Sequence, residues 1–128
     1  MFKIPDGPTA FFDCDDTLVL WNVPEGTPST DLVETSFRGL TDLVLPNHHN
    51  IDLLKKFAKR GITIVVWSAG GSGWASEVVR VLELEKYVTA ITPKPHYFVD
   101  DIFNPIDFMG KHIYIDIDGK MYERGKPK

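Results

Sequence analysis

Cysteine is nearly absent: Cys14 is the single one in 128 residues, which excludes a disulfide framework within the chain. No run approaches 18 apolar residues, so no segment reads as a membrane-spanning helix. The opening Met1-Phe2-Lys3-Ile4-Pro5-Asp6-Gly7-Pro8 also lacks the apolar stretch of a secretory signal, and the expected location is cytoplasmic. Positive charge is in short supply, with 14 Lys and Arg against 18 Asp and Glu and a formal charge of −4. No overall field therefore draws in nucleic acid or an anionic membrane, and an anionic substrate has to be captured locally. What is present, 43% hydrophobic and 25% charged residues, is ordinary globular composition. A single domain over residues 1–128 is expected, a size that buries roughly 70% of the unfolded surface.

The apolar run Ala10-Phe11-Phe12 stops abruptly in Asp13-Cys14-Asp15-Asp16-Thr17. Residues 9–13 read as a buried first strand, and extended backbone places Asp13 and Asp15 on one side with Cys14 turned away. Two carboxylates that close repel by roughly 4 kcal/mol at an effective dielectric near 20, so a cation between them, most simply a divalent one, is expected. Residues 22–50 are rich in Pro, Gly, Thr and Asn, with a small hairpin expected from Val33–Phe37 and Leu43–Leu45. A helix is expected over 50–61, with Asn50 in front and Gly61 behind. Ile62–Trp67 is the strongest strand of the chain, β-branched almost throughout. After Ser68-Ala69-Gly70-Gly71 a second helix is expected from Trp74 to Leu84.

This alternation predicts a parallel sheet with right-handed crossovers and functional loops at the carboxyl ends of its strands. Short strands are read at Val88–Ile91 and Tyr97–Val99, although five residues between them are too few for a parallel crossover. The tail Lys111–Tyr122 alternates around Asp118-Gly119, which predicts a C-terminal hairpin.

Four pieces fall at ends of expected elements: Asp13/Asp15/Thr17, Ser68, Lys94, and Asp100-Asp101. In this order the chain resembles the haloacid dehalogenase-like superfamily of phosphohydrolases, whose motifs are DxDxT, a strand ending in Ser or Thr, a Lys and an acidic pair. The resemblance implies a three-layer Rossmann-like sheet flanked by helices, with a small flap after the first strand and no cap domain. It implies a Mg²⁺-dependent phosphatase that hydrolyses a phosphomonoester. Asp13 would be the nucleophile that becomes an aspartyl-phosphate, and Asp15 the general acid and base. Thr17, Ser68 and the Ala69/Gly70 backbone would hold phosphoryl oxygens, and Lys94 would place its charge on the phosphoryl group and Asp13. Asp13, Asp15, Asp100 and Asp101 would make the metal site, with Asp101 favoured over Asp100 as the direct ligand.

Asp15 points to phosphate rather than to a carbon–halogen bond, because resembling dehalogenases need no acid two residues after the nucleophile. Asp16 stands where the phosphatases often have Gly, and six positions from Lys94 to Asp100 leave no room for the usual helix. The open site suits a small-molecule or nucleic-acid-end phosphomonoester, with a nucleotide or polynucleotide end preferred, and a homo-oligomer as its cover. Two other readings share the residues: a non-catalytic phosphoacceptor like a receiver domain, whose motif order differs, and a phosphotransferase.

Blander assignments hold elsewhere. Asp116 and Asp118 repeat the start of the nucleophile motif, but Lys120 replaces the Thr, so they read as a hairpin turn. Cys14 reads as a buried core residue, Trp67 and Trp74 as core packing, and His48-His49 as a solvated loop.

Overall fold

The computed structural model describes residues 3–116 and 118–125. In chain order the elements are β1 (Thr9–Phe12), β2 (Val19–Leu20), a 3₁₀ turn (Ser29–Asp31), β3 (Val33–Phe37), β4 (Leu40–Pro46) and α1 (His48–Lys59). There follow β5 (Thr63–Ser68), α2 (Ser72–Val81), β6 (Ala90–Pro93), a second 3₁₀ turn (Pro105–Asp107), β7 (His112–Ile115) and β8 (Met121–Arg124). By its internal contacts the chain forms two compact units, residues 1–94 and 95–128.

In the first unit β1, β5 and β6 form a parallel sheet in the order β1-β5-β6, with Phe12 level with Val66 and Ser68 level with Pro93. The strands step one way across the sheet, and right-handed crossovers in one direction put both helices on one face. Phe12, Ile64 and Val66 on that face share a core with Ile51 and Leu54 of α1 and Ala75, Val78 and Val79 of α2. Phe11, Val65 and Trp67 alternate to the other face, where the Phe11 and Trp67 rings lie 4.6 Å apart. Each fully buried aliphatic side chain of this core contributes about 1.5–3 kcal/mol. The mixed α/β class is as expected. Among the described residues there are two α-helices and, in this unit, one helical layer.

Element ends shift for local reasons. α1 starts at His48, earlier than Asn50, because Asn47 takes the extended cap conformation after β4. Asn50 then lies inside the helix, buried, and its Nδ2 donates to the Thr17 carbonyl at 2.8 Å. α2 starts at Ser72, since Gly71 at φ 101° makes a turn that side chains resist, and it ends before Glu83 at φ 55°.

The expected hairpin forms as β3–β4, paired from Val33↔Val44 to Phe37↔Leu40, and β4 also pairs with β2. The Ser36 amide donates to Glu77 of α2 at 2.6 Å, tying this flap to the helix. The Arg80 guanidinium, bonded to the same carboxylate, holds Glu77 below its ordinary pKa.

In the second unit β7 and β8 form the expected C-terminal hairpin, from His112↔Arg124 to Ile115↔Met121. Ile117, within the stretch read from the sequence as this hairpin, lies outside the described residues. The strand expected at Tyr97–Val99 does not form: Tyr97 and Val99 are 90% and 99% exposed, and no ladder includes them. Pro95 lacks an N–H for a ladder, and Asp100 Oδ1 accepts from the Ile102 amide at 2.8 Å, a local turn in place of a strand end.

Candidate active site

The parallel register brings three strand ends to one rim of the first unit. Asp13 follows Phe12 at the end of β1, Ser68 closes β5, and Lys94 follows β6, its amide donating to the Ser68 carbonyl at 2.9 Å. Lys94 Nζ lies 3.2 Å from Asp13 Oδ1, and both side chains are about one-third exposed, at 37% and 31%. Solvent at that exposure leaves the pair worth about 0–1 kcal/mol to the fold. Its placement matters chemically, since a lysine beside an accessible carboxylate puts positive charge where an anionic group would meet Asp13. Thr17 Oγ1 donates to Asp13 Oδ2 at 3.4 Å, so both oxygens of Asp13 have partners.

The loop after β1 is wound by its own backbone. The Cys14 carbonyl accepts from the amides of Thr17, Leu18 and Val19 at 2.9–3.1 Å, and the Asp16 amide donates to the Val19 carbonyl at 2.7 Å. Asp16, at φ 59°, occupies the left-handed region that Asp tolerates better than most residues. Its Oδ1 accepts from the Trp21 amide at 3.3 Å. Cys14 is fully buried, as read from the sequence, and its thiol leans on the Trp67 carbonyl at 3.7 Å. Burial above all, with Asp13 and Asp15 nearby, pushes its pKa up to about 12, so it is no nucleophile at neutral pH.

Asp15 is held by two indoles: Trp21 Nε1 donates to its Oδ1 at 2.8 Å and Trp74 Nε1 to the same oxygen at 3.0 Å. The two rings stack with centroids 5.8 Å apart at 25°, and Phe37 tilts against Trp74 at 5.7 Å. Trp74 is 7% exposed and belongs to the core, yet it also reaches the site. Trp21 closes the short apolar run Leu18-Val19-Leu20, six residues after Asp15 and just before a Pro- and Gly-rich stretch. That apolar run so soon after the Asp cluster is the cue that could have found it.

Ser68 is completely buried, and its Oγ accepts from the Gly70 amide at 3.0 Å. Its hydroxyl thus shapes the Ala69-Gly70 turn. A Cβ at Gly70 would meet Ser68 Oγ at 3.3 Å and Trp74 Cδ1 at 3.4 Å, so a side chain there would crowd the Ser68 hydroxyl. Asp100 and Asp101 are exposed and belong to the second unit.

Among the described residues no group of three His, Cys, Asp or Glu side chains stands ready around one metal position. A Mg²⁺ ion needs only one or two protein carboxylates beside substrate phosphate and waters. The carboxylates that follow β1 are Asp13, Asp15 and Asp16, with Lys94 Nζ 3.2 Å from Asp13 as their counter-charge. The chain matches no family model, no curated protein and no solved structure.

Proposed function

We propose that this chain is a phosphohydrolase of the haloacid dehalogenase-like superfamily, with its Rossmann-like sheet, hydrolysing a phosphomonoester through Asp13. The contact of Asp13 Oδ1 with Lys94 Nζ at 3.2 Å carries this reading, because it pairs the candidate nucleophile with the cation that a phosphoryl group needs. In the first step an Asp13 oxygen attacks phosphorus, the ester P–O bond breaks, and the leaving oxygen takes a proton from Asp15. In the second, water attacks phosphorus, gives its proton to Asp15, and the Asp13–phosphorus bond breaks to release phosphate.

Lys94 neutralises oxygens of the transferring group, and Thr17 orients Asp13. The two indole N–H groups occupy Asp15 Oδ1, which leaves Oδ2 to carry the proton. Mg²⁺, when bound, would be held by the Asp13 carboxylate and would supply further positive charge against the phosphoryl oxygens.

The test is Asp13→Asn assayed with an aryl phosphate in Mg²⁺ alongside the far-UV circular dichroism of both proteins. Turnover is expected to vanish with the fold intact; undiminished turnover by the variant overturns the assignment.

A further inference from the structure

We propose that the aromatic hollow beside Asp15 is a nucleobase subsite, so that the phosphomonoester is a nucleotide or a nucleotide end. The hollow, about 370 Å³, lies within the first unit and is lined by Asp15, Trp21, Phe37, Leu40, Asp42 and Trp74. This inference rests on the role of Asp15 given above. If Asp15 protonates the leaving oxygen, whatever that oxygen is attached to lies on the Asp15 side, and the hollow opens there.

The walls select for a flat ring. Trp21, 42% exposed, is braced from behind by its stack on Trp74, and Trp74 is braced in turn by Phe37. A rigid indole with an accessible surface is a stacking platform that loses little entropy when a base settles on it. Leu40, 69% exposed on β4, adds an apolar edge.

The polar groups select for nitrogen. Asp42 and Asp15 are the two charged residues of the lining, and neither Lys nor Arg joins them. Among the described residues the Asp42 side chain makes no hydrogen bond or ion pair, while its main chain sits opposite Thr35 in the β3–β4 ladder and its carbonyl accepts from the Thr35 hydroxyl. An ionised carboxylate only accepts, so it asks for N–H donors such as those on the edge of guanine, and it repels a second phosphate. A sugar phosphate without a base would leave both the Trp21 face and the Asp42 carboxylate unused.

Two measurements on the full chain test this. Tryptophan fluorescence of the non-turning Asp13→Asn protein is titrated with 5′-GMP, 3′-GMP and ribose 5-phosphate. Then kcat/KM is compared for the same three compounds in wild type, Trp21→Ala and Asp42→Asn. One of the GMP isomers is expected to quench the indole signal where ribose 5-phosphate does not. Wild type is expected to prefer that isomer over ribose 5-phosphate by about 5- to 100-fold, a preference that Trp21→Ala removes and Asp42→Asn reduces.

Because Trp21 also holds Asp15, the preference ratio is the decisive readout and not the rate alone. Turnover of all three compounds without preference overturns the subsite while sparing the phosphatase. Quenching by GMP that disappears in Asp13→Asn/Trp21→Ala, with no turnover of any phosphomonoester, keeps the subsite and overturns the phosphatase. A phosphotyrosine peptide hydrolysed better than either GMP isomer overturns the nucleobase in favour of a phenol ring.

Discussion

The chain carries an Asp-Xaa-Asp sequence at two places, and the two have different fates. Asp13 and Asp15 leave the end of a parallel strand, where the neighbouring strand ends deliver Ser68 and Lys94. Asp116 leaves the end of an antiparallel strand that turns straight back on itself. Its Oδ1 accepts from the amides of Asp118 and Lys120 at 3.0 and 2.9 Å, and its Oδ2 from the Tyr122 hydroxyl at 3.2 Å. The same carboxylate is thus used up by local backbone in one setting and faces a distant lysine in the other. A parallel sheet gathers residues far apart in sequence at one rim, whereas a hairpin joins only neighbours.

Substitutions at matched positions break this comparison if the assignment is wrong. The largest effect is expected from Asp13→Asn, a loss of turnover of at least about 10³-fold, while Asp116→Asn leaves kcat within about twofold in the same aryl phosphate assay. In an Asp13→Asn background, Lys120→Thr completes the look-alike motif in the hairpin. It is expected to restore no measurable turnover, since no lysine corresponding to Lys94 is brought to Asp116.

Next comes Asp15→Asn, expected to cost about 10²- to 10⁴-fold. The loss should be largest for an alkyl phosphate, whose leaving oxygen needs a proton, and smaller for an aryl one; Asp118→Asn is expected to show neither effect. Equal losses for alkyl and aryl phosphates would remove the general acid from Asp15.

Stability separates the regions as well. Leu54→Ala in the sheet core is expected to cost about 2–5 kcal/mol in urea unfolding monitored by circular dichroism. The smallest effect belongs to the hairpin. The Lys120 amide first, then the Tyr122 hydroxyl and the Asp118 amide, hold Asp116 below the ordinary carboxylate pKa. Its contribution is therefore present at neutral pH and fades only as the pH falls through that lowered value. Amide exchange across β7 and β8 is expected to quicken there in wild type, and in Asp116→Ala to be fast already at neutral pH.

The parts of the fold legible from sequence are those whose residues state their surroundings twice. β5 is both β-branched and apolar on both faces, and β3–β4 and β7–β8 combine alternation with turn residues. Lys94 was readable from the order of strand ends alone, since a register that levels Ser68 with Pro93 puts the next residue at the rim. Less legible were the features made by one side chain meeting a distant partner. Asn50 reads as a helix cap until the Thr17 carbonyl claims it. Trp74 reads as core, and is core, but its N–H also reaches Asp15. Phe37 and Asp42 acquire meaning only when the hairpin folds against α2. The stretch Tyr97–Val99 misled because aromatic and branched residues make a strand pattern even where Pro95 and the Asp100 turn deny them a ladder.

The burial of Cys14 has a practical side. With its thiol shut away and its pKa near 12, the wild-type chain presents almost no thiolate to maleimide or iodoacetamide reagents at neutral pH, although it is not formally cysteine-free. A cysteine placed at exposed Leu40 would then be the one reactive handle on the molecule. A fluorophore or spin label attached there would report on the rim of the hollow directly, without first removing a core residue.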